Sequence, residues 1–65
     1  MTQRDMLRDL VRRFGNDEDV VVREYARAEQ SGKVDRKSDR YGRSAEDYAR
    51  ALWRDAMKKG WLRGA

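Results

Sequence analysis

The sequence contains no cysteine, no histidine and no proline, and no apolar run in it exceeds three residues. Without cysteine the chain forms no disulfide and offers no thiolate to a metal. Without histidine it lacks the commonest acid–base group of catalysis and the commonest metal ligand. The short apolar runs exclude a membrane span or signal-peptide core within this sequence, which favours a cytoplasmic location.

The residue types that are present do not indicate catalysis either. Three serines, Ser31, Ser38 and Ser44, have no histidine to activate them. The acidic run from Asp17 to Asp19 lacks the spacing of a calcium loop and is typical of a first helical turn. No glycine-rich phosphate loop occurs. We therefore predict a protein that is not an enzyme and has no metal site and no cofactor.

At 65 residues the chain is long enough for one small domain, which we predict to span 1–65. Such a domain buries only ~60% of the surface that its unfolded chain exposes. Charged residues make up 43% of the sequence, a fraction close to that of disordered proteins. The two Trp, three Tyr and one Phe are grouped where helices would bury them, so a folded core is expected.

The third helix has the clearest signals, and we predict it at 45–59. Ser44 with Asp47 resembles a capping box, and Gly60 is suited to the left-handed residue that ends a helix. Ala45, Tyr48, Ala49, Leu52 and Ala56 recur at helical spacing, with Trp53 and Met57 widening the apolar stripe.

Two further helices are predicted at 3–14 and 17–31. Thr2 and Asp5 mark the start of the first, and Gly15 its end. Asn16 is the expected N-cap of the second helix, and Gly32 its stop. The fold prediction is therefore all-α: three helices, a short turn between the first two and a long basic loop before the third, which packs across the others. We expect Leu52 and Phe14 to be buried together, each at the centre of its stripe.

The formal net charge is +4, a balance that suits an acidic partner such as nucleic acid. Arg50, Arg54 and Lys58 are spaced by four residues and should form one ridge of the third helix. The loop, residues 33–43, carries five basic and two acidic residues. Its expected contacts to phosphate and base are Arg36, Lys37, Arg40, Tyr41 and Arg43.

Alternatives remain at this point. A basic ridge is also typical of a solvated helix face. The abundance of Arg is also typical of a genome that favours Arg codons. A helix-turn-helix is not favoured, because the acidic first turn of the second helix would face phosphate. The competing function is binding to a protein partner or a second copy through a surface of Val20, Trp53 and Trp61. We expect residues 33–40 to be the most mobile internal segment.

Overall fold

The computed structural model describes residues 2–36 and 44–62, which form three α-helices and no strand. The helices are α1 (Gln3–Phe14), α2 (Glu18–Gln30) and α3 (Ala45–Lys59). The predicted all-α class with three helices is confirmed. α1 and α3 have the predicted bounds, whereas α2 is one residue shorter at each end than predicted. Within the described ranges, no helix is long and apolar enough to cross a membrane.

The start of α2 corrects one detail of the sequence analysis. Asp17, and not Asn16, is the N-cap, since its Oδ1 accepts hydrogen bonds from the backbone N–H groups of Asp19 (3.1 Å) and Val20 (3.3 Å). A carboxylate at this position satisfies two of the free N–H groups and also interacts favourably with the helix dipole. The acidic run is therefore explained by the needs of the helix start.

The ends of α3 follow the predicted signals closely. Ser44 Oγ accepts a hydrogen bond from the N–H of Asp47 at 3.3 Å. At the other end Gly60 has a φ of 76°, in the left-handed region, and the N–H of Trp61 donates to the carbonyl of Ala56 at 3.0 Å. This 6→1 bond closes the helix and turns Trp61 back towards the body of the domain.

A single apolar core joins the three helices, and α2 lies at its centre because both other helices pack on it. The expectation that α3 packs across both of the others is corrected accordingly, since α3 packs chiefly on α2. The loop after α2 contributes Val34, which is buried, and the segment after α3 contributes Leu62. The largest fully covered side chains of the core are those of Leu7, Val21, Val22 and Tyr25.

One predicted core contact is wrong. Leu52 is buried, but the side chain of Phe14 is 44% exposed, so the two do not form a shared buried centre. Phe14 is the last residue of α1, and the chain turns away at Gly15, which has a φ of 79°. The apolar stripe therefore runs one residue beyond the part of α1 that its neighbour covers.

Candidate nucleic-acid interface

The predicted basic ridge of α3 is partly neutralised by α2. Arg50 Nη1 donates hydrogen bonds to Glu18 Oε2 at 2.5 Å and to Asp19 Oδ1 at 3.1 Å. Its Nη2 also lies 3.8 Å from Glu46 Oε1. The hydrogen bonds to Glu18 and then to Asp19 raise the pKa of Arg50. Arg50 is therefore the centre of an ion-pair cluster that links the first turns of α2 and α3.

The other two members of this ridge, Arg54 and Lys58, differ in their contacts with acidic residues. Arg54 Nη2 lies 3.8 Å from Glu18 Oε2, although 72% of the Arg54 side chain is exposed. Lys58 is exposed and forms no ion pair with any residue in ranges 2–36 and 44–62. A phosphate that approached Arg50 or Arg54 would meet the carboxylates of α2 as well. The ridge is thus less suited to phosphate than its spacing predicts.

Substituting Arg50 tests the cluster. We expect Arg50→Gln to lower the melting temperature, because it leaves the Glu18 and Asp19 carboxylates facing α3 without a partner. Arg54→Gln removes an equal charge at a longer distance and should change the melting temperature less. High salt should shrink the difference between the two variants. Thermal melts at low and high salt measure it, and equal melting temperatures at low salt would contradict the cluster.

Arg36, another predicted phosphate contact, is engaged within the domain. Its Nε lies 2.5 Å from Glu29 Oε1, and its guanidinium carbon lies 4.7 Å from the centre of the Tyr48 ring. The side chains of Arg36 and Glu29 are only 23% and 12% exposed. Arg36 therefore fixes the chain after α2 to both α2 and α3.

A cluster of polar groups surrounds this ion pair. The side-chain amide of Gln3 donates to the hydroxyl of Tyr48, which links the start of α1 to α3. Two buried atoms, Tyr25 Oη and Glu29 Oε2, make no hydrogen bond within the described ranges. Burial, followed by the nearby Tyr48 and Glu29, raises the pKa of Tyr25, so its hydroxyl stays protonated. These groups hold the helices together and present no free cation to a partner.

The other predicted loop contacts are Lys37, Arg40, Tyr41 and Arg43, and they lie outside the described residues. The expectation of a mobile segment over 33–40 also falls partly outside them. Within its described part, Val34 is buried and Arg36 is held by Glu29.

A second basic ridge lies on α1, and the sequence analysis missed it. Arg4, Arg8 and Arg12 follow one another at intervals of four residues, and all three are exposed. Successive members are separated by ~6 Å along the helix axis and by ~40° around it. The side chains of Arg8 and Arg12 form no ion pair or hydrogen bond with any other described residue. We call these three residues the α1 basic ridge.

The nearby acids do not neutralise this ridge. Asp9 pairs with Arg13 on the neighbouring flank of the helix, at 3.8 Å. The Asp5 N–H is used in the Thr2 cap, and its exposed side chain forms no ion pair in the described part of the chain. The spacing of 4, 8 and 12 was visible in the sequence, but the two aspartates between them hid it. In the described part of the chain, neither aspartate forms an ion pair with a member of the ridge.

Trp61 extends the ridge towards the end of α3. The guanidinium of Arg4 lies 5.4 Å from the centre of the Trp61 ring, and the ammonium of Lys59 lies 5.1 Å from it. Both cations are within the range of a cation–π interaction. Lys59 also pairs with Asp55 at 3.3 Å. The start of α1 and the end of α3 therefore meet around one half-buried aromatic ring.

The alternative partner surface is not assembled as predicted. Trp53 is 4% exposed and belongs to the core, so the expectation that it lies at an exposed edge is wrong. Val20 and Trp61 are half-buried. The large apolar side chains exposed in the described residues are instead Phe14 and Met57.

In the two described ranges, no group of three carboxylate, His or Cys side chains is placed to hold a metal ion. The chain was compared with models of protein families, with curated proteins and with solved structures, and none of the three comparisons found a match. The case for a function therefore depends on the α1 basic ridge and its surroundings.

Proposed function

We propose that this protein is a non-enzymatic module that binds nucleic acid through the α1 basic ridge. The observation that supports it is the pair Arg8 and Arg12, which are exposed and have no acidic partner in the described residues. A row of unpaired guanidinium groups on one helix face suits a row of phosphates, because arginine donates to phosphate through a planar fork.

The proposed mode of contact is to the backbone of the nucleic acid and not to its bases. Sequence-tolerant binding to single strands commonly uses exposed aromatic rings on which bases stack. Here the Trp61 ring already lies beside Arg4 and Lys59, and the Tyr48 ring already lies beside Arg36. Because cations of the domain lie against these rings, we do not expect bases to stack on them. Phosphate contacts alone position a protein without reading sequence. We therefore expect binding that depends strongly on salt and weakly on sequence.

Titration of labelled single- and double-stranded oligonucleotides at several salt concentrations tests this proposal. Each phosphate contact contributes ~0.7–0.9 to the slope of log K against log salt. The double variant Arg8→Ala/Arg12→Ala should therefore reduce the slope by roughly 1.4–1.8 and weaken binding to unrelated sequences alike.

The matched control is Arg54→Ala/Lys58→Ala, which removes two exposed charges from α3 and the same net charge from the protein. It should leave most of the slope intact. Equal losses from the two double variants would show general charge attraction and overturn the α1 basic ridge as the site. Absence of binding at low salt, where electrostatic attraction is strongest, would overturn the nucleic-acid function itself. An acidic protein partner would then be the class to examine.

A protein partner is the second candidate, as the sequence analysis also proposed. Burial of Trp53 removes the strongest member of the Val20, Trp53 and Trp61 surface. The exposed ring of Phe14 favours a different apolar surface, on the side of α1 away from the α1 basic ridge.

A further inference from the structure

A groove runs between α1 and α2 on the side of the domain away from α3. Its volume is ≈ 580 Å³. Its apolar lining consists of Met6, Leu10 and Phe14 from α1 and Ala28 from α2. The lining spans more than two turns of α1 and little more than one turn of α2, and it continues with Ser31 and Lys33 after the end of α2.

Four of the five charged residues that line the groove form ion pairs along its walls. On α1, Arg13 Nη1 lies 3.8 Å from Asp9 Oδ2, and on α2, Arg27 Nη1 lies 3.5 Å from Glu24 Oε2. Each helix therefore contributes one acid and one base to the groove, and Lys33, in the segment after α2, adds one further positive charge. Small-ligand sites of this size usually converge on a few unpaired polar groups. These four groups are not convergent, and their carboxylates would repel a nucleic acid.

The order of the charges makes the groove complementary to itself. Only three residues connect α1 to α2, and so short a connection favours antiparallel neighbours, so we infer that the two walls run in opposite directions. Read from the Met6 end, α1 presents Asp9 and then Arg13, whereas α2 presents Arg27 and then Glu24. A two-fold rotation, about an axis along the groove or across it, places every acid of one copy opposite a base of the other.

Phe14 supplies the apolar part of the same contact. It lies at one end of the groove with 44% of its side chain exposed, so each copy carries both an apolar projection and a groove that is apolar at its floor. From the charge order and the position of Phe14, we propose that the α1–α2 groove binds a second copy of this chain, giving a two-fold symmetric dimer.

The dimer surface and the proposed nucleic-acid surface are separate. Around α1, the groove side carries Met6, Asp9 and Arg13, whereas the α1 basic ridge faces largely the opposite way. The dimer proposal therefore goes beyond the proposed function and fails or succeeds independently of it. In a dimer each copy would keep its α1 basic ridge exposed.

Sedimentation equilibrium over a wide range of protein concentrations tests the dimer. The parent should shift from monomer to dimer as concentration rises. Phe14→Glu places a carboxylate in the contact and should weaken association by about tenfold or more, the effect of a central interface residue. Met57→Glu introduces the same group at another exposed apolar position outside the groove, and should leave association unchanged. Circular dichroism checks that both variants are folded.

A charge exchange separates a specific contact from general stickiness. Arg13→Glu should weaken the dimer. If the two-fold axis runs along the groove, adding Glu24→Arg should restore association. If the axis runs across the groove, adding Asp9→Arg should restore it. A parent that stays monomeric at all concentrations would overturn the proposal. Equal loss from Phe14→Glu and Met57→Glu, or failure of both charge exchanges to restore association, would also overturn it. Arg8→Ala/Arg12→Ala should not change the mass.

Discussion

Truncation of Trp53 to Ala is expected to destabilise the protein severely. Trp53 is 4% exposed and packs in the core cluster that α3 shares with α2. Replacing a buried Trp by Ala costs ~3–5 kcal/mol through lost burial and the cavity left behind. Domains of this length have a total free energy of unfolding of roughly 3–10 kcal/mol. The substitution therefore removes a large fraction of the stability, which urea denaturation followed by circular dichroism would measure.

Phe14→Ala is the matched comparison, because it also truncates a large aromatic residue of a helical stripe. With its ring half outside the core, Phe14 should contribute much less, and we expect a loss under about 1.5 kcal/mol. If Phe14→Ala proves the more destabilising of the two, the assignment of the core on which this account depends is wrong.

The second large effect is expected from Arg36→Ala. The change leaves the Glu29 carboxylate, only 12% exposed, without its ion-pair partner and removes the cation beside the Tyr48 ring. Removing one partner of a buried ion pair costs ~3–5 kcal/mol, since a charge remains where water does not reach it. Denaturation of the single variant should therefore show a loss comparable to that of a core truncation.

A double-mutant cycle tests whether the unpaired Glu29 carboxylate causes the loss of stability in Arg36→Ala. Adding Glu29→Gln to Arg36→Ala removes the stranded charge, so the double variant should be more stable than Arg36→Ala alone. The two losses should be non-additive by about 1 kcal/mol or more. Additive losses would mean that Arg36 contributes through packing alone. Surface substitutions such as Arg8→Ala should change stability by less than ~0.5 kcal/mol in the same assay.

The helix boundaries were predictable because their signals are local. Thr2 and Ser44 accept the expected backbone hydrogen bonds, and Gly60 adopts the left-handed conformation. Each signal depends on residues within one helical turn, where the sequence specifies the geometry almost completely. The α2 start was placed one residue early because Asn16 and Asp17 are both good caps.

Contacts between helices were not predictable in the same way. Helical spacing identifies the apolar side of α1 and α3, but not how far a neighbouring helix extends along it. For this reason the exposure of Phe14 was misjudged, and only the alternative partner surface placed Trp53 at an exposed position. Arg50 was assigned to a free ridge, although Glu18 lies 32 residues before it in sequence and 2.5 Å from it in the fold.

The candidate site changed for the same physical reason. A basic ridge is available to phosphate only where no carboxylate of another element faces it. On α3 the acidic first turn of α2 provides such carboxylates, and on α1 the ridge from Arg4 to Arg12 meets none in the described residues. Sequence spacing presents the two ridges as equivalent, and only the packing of α2 distinguishes them.

The most direct test of the central claim is to map the binding surface by NMR during titration with a short oligonucleotide at low salt. Arginine side-chain Nε–Hε signals report each guanidinium group separately. We predict that the signals of Arg8 and Arg12 shift with the oligonucleotide concentration, whereas those of Arg50 and Arg54 do not. Shifts confined to Arg50 and Arg54, with Arg8 and Arg12 unchanged, would contradict it.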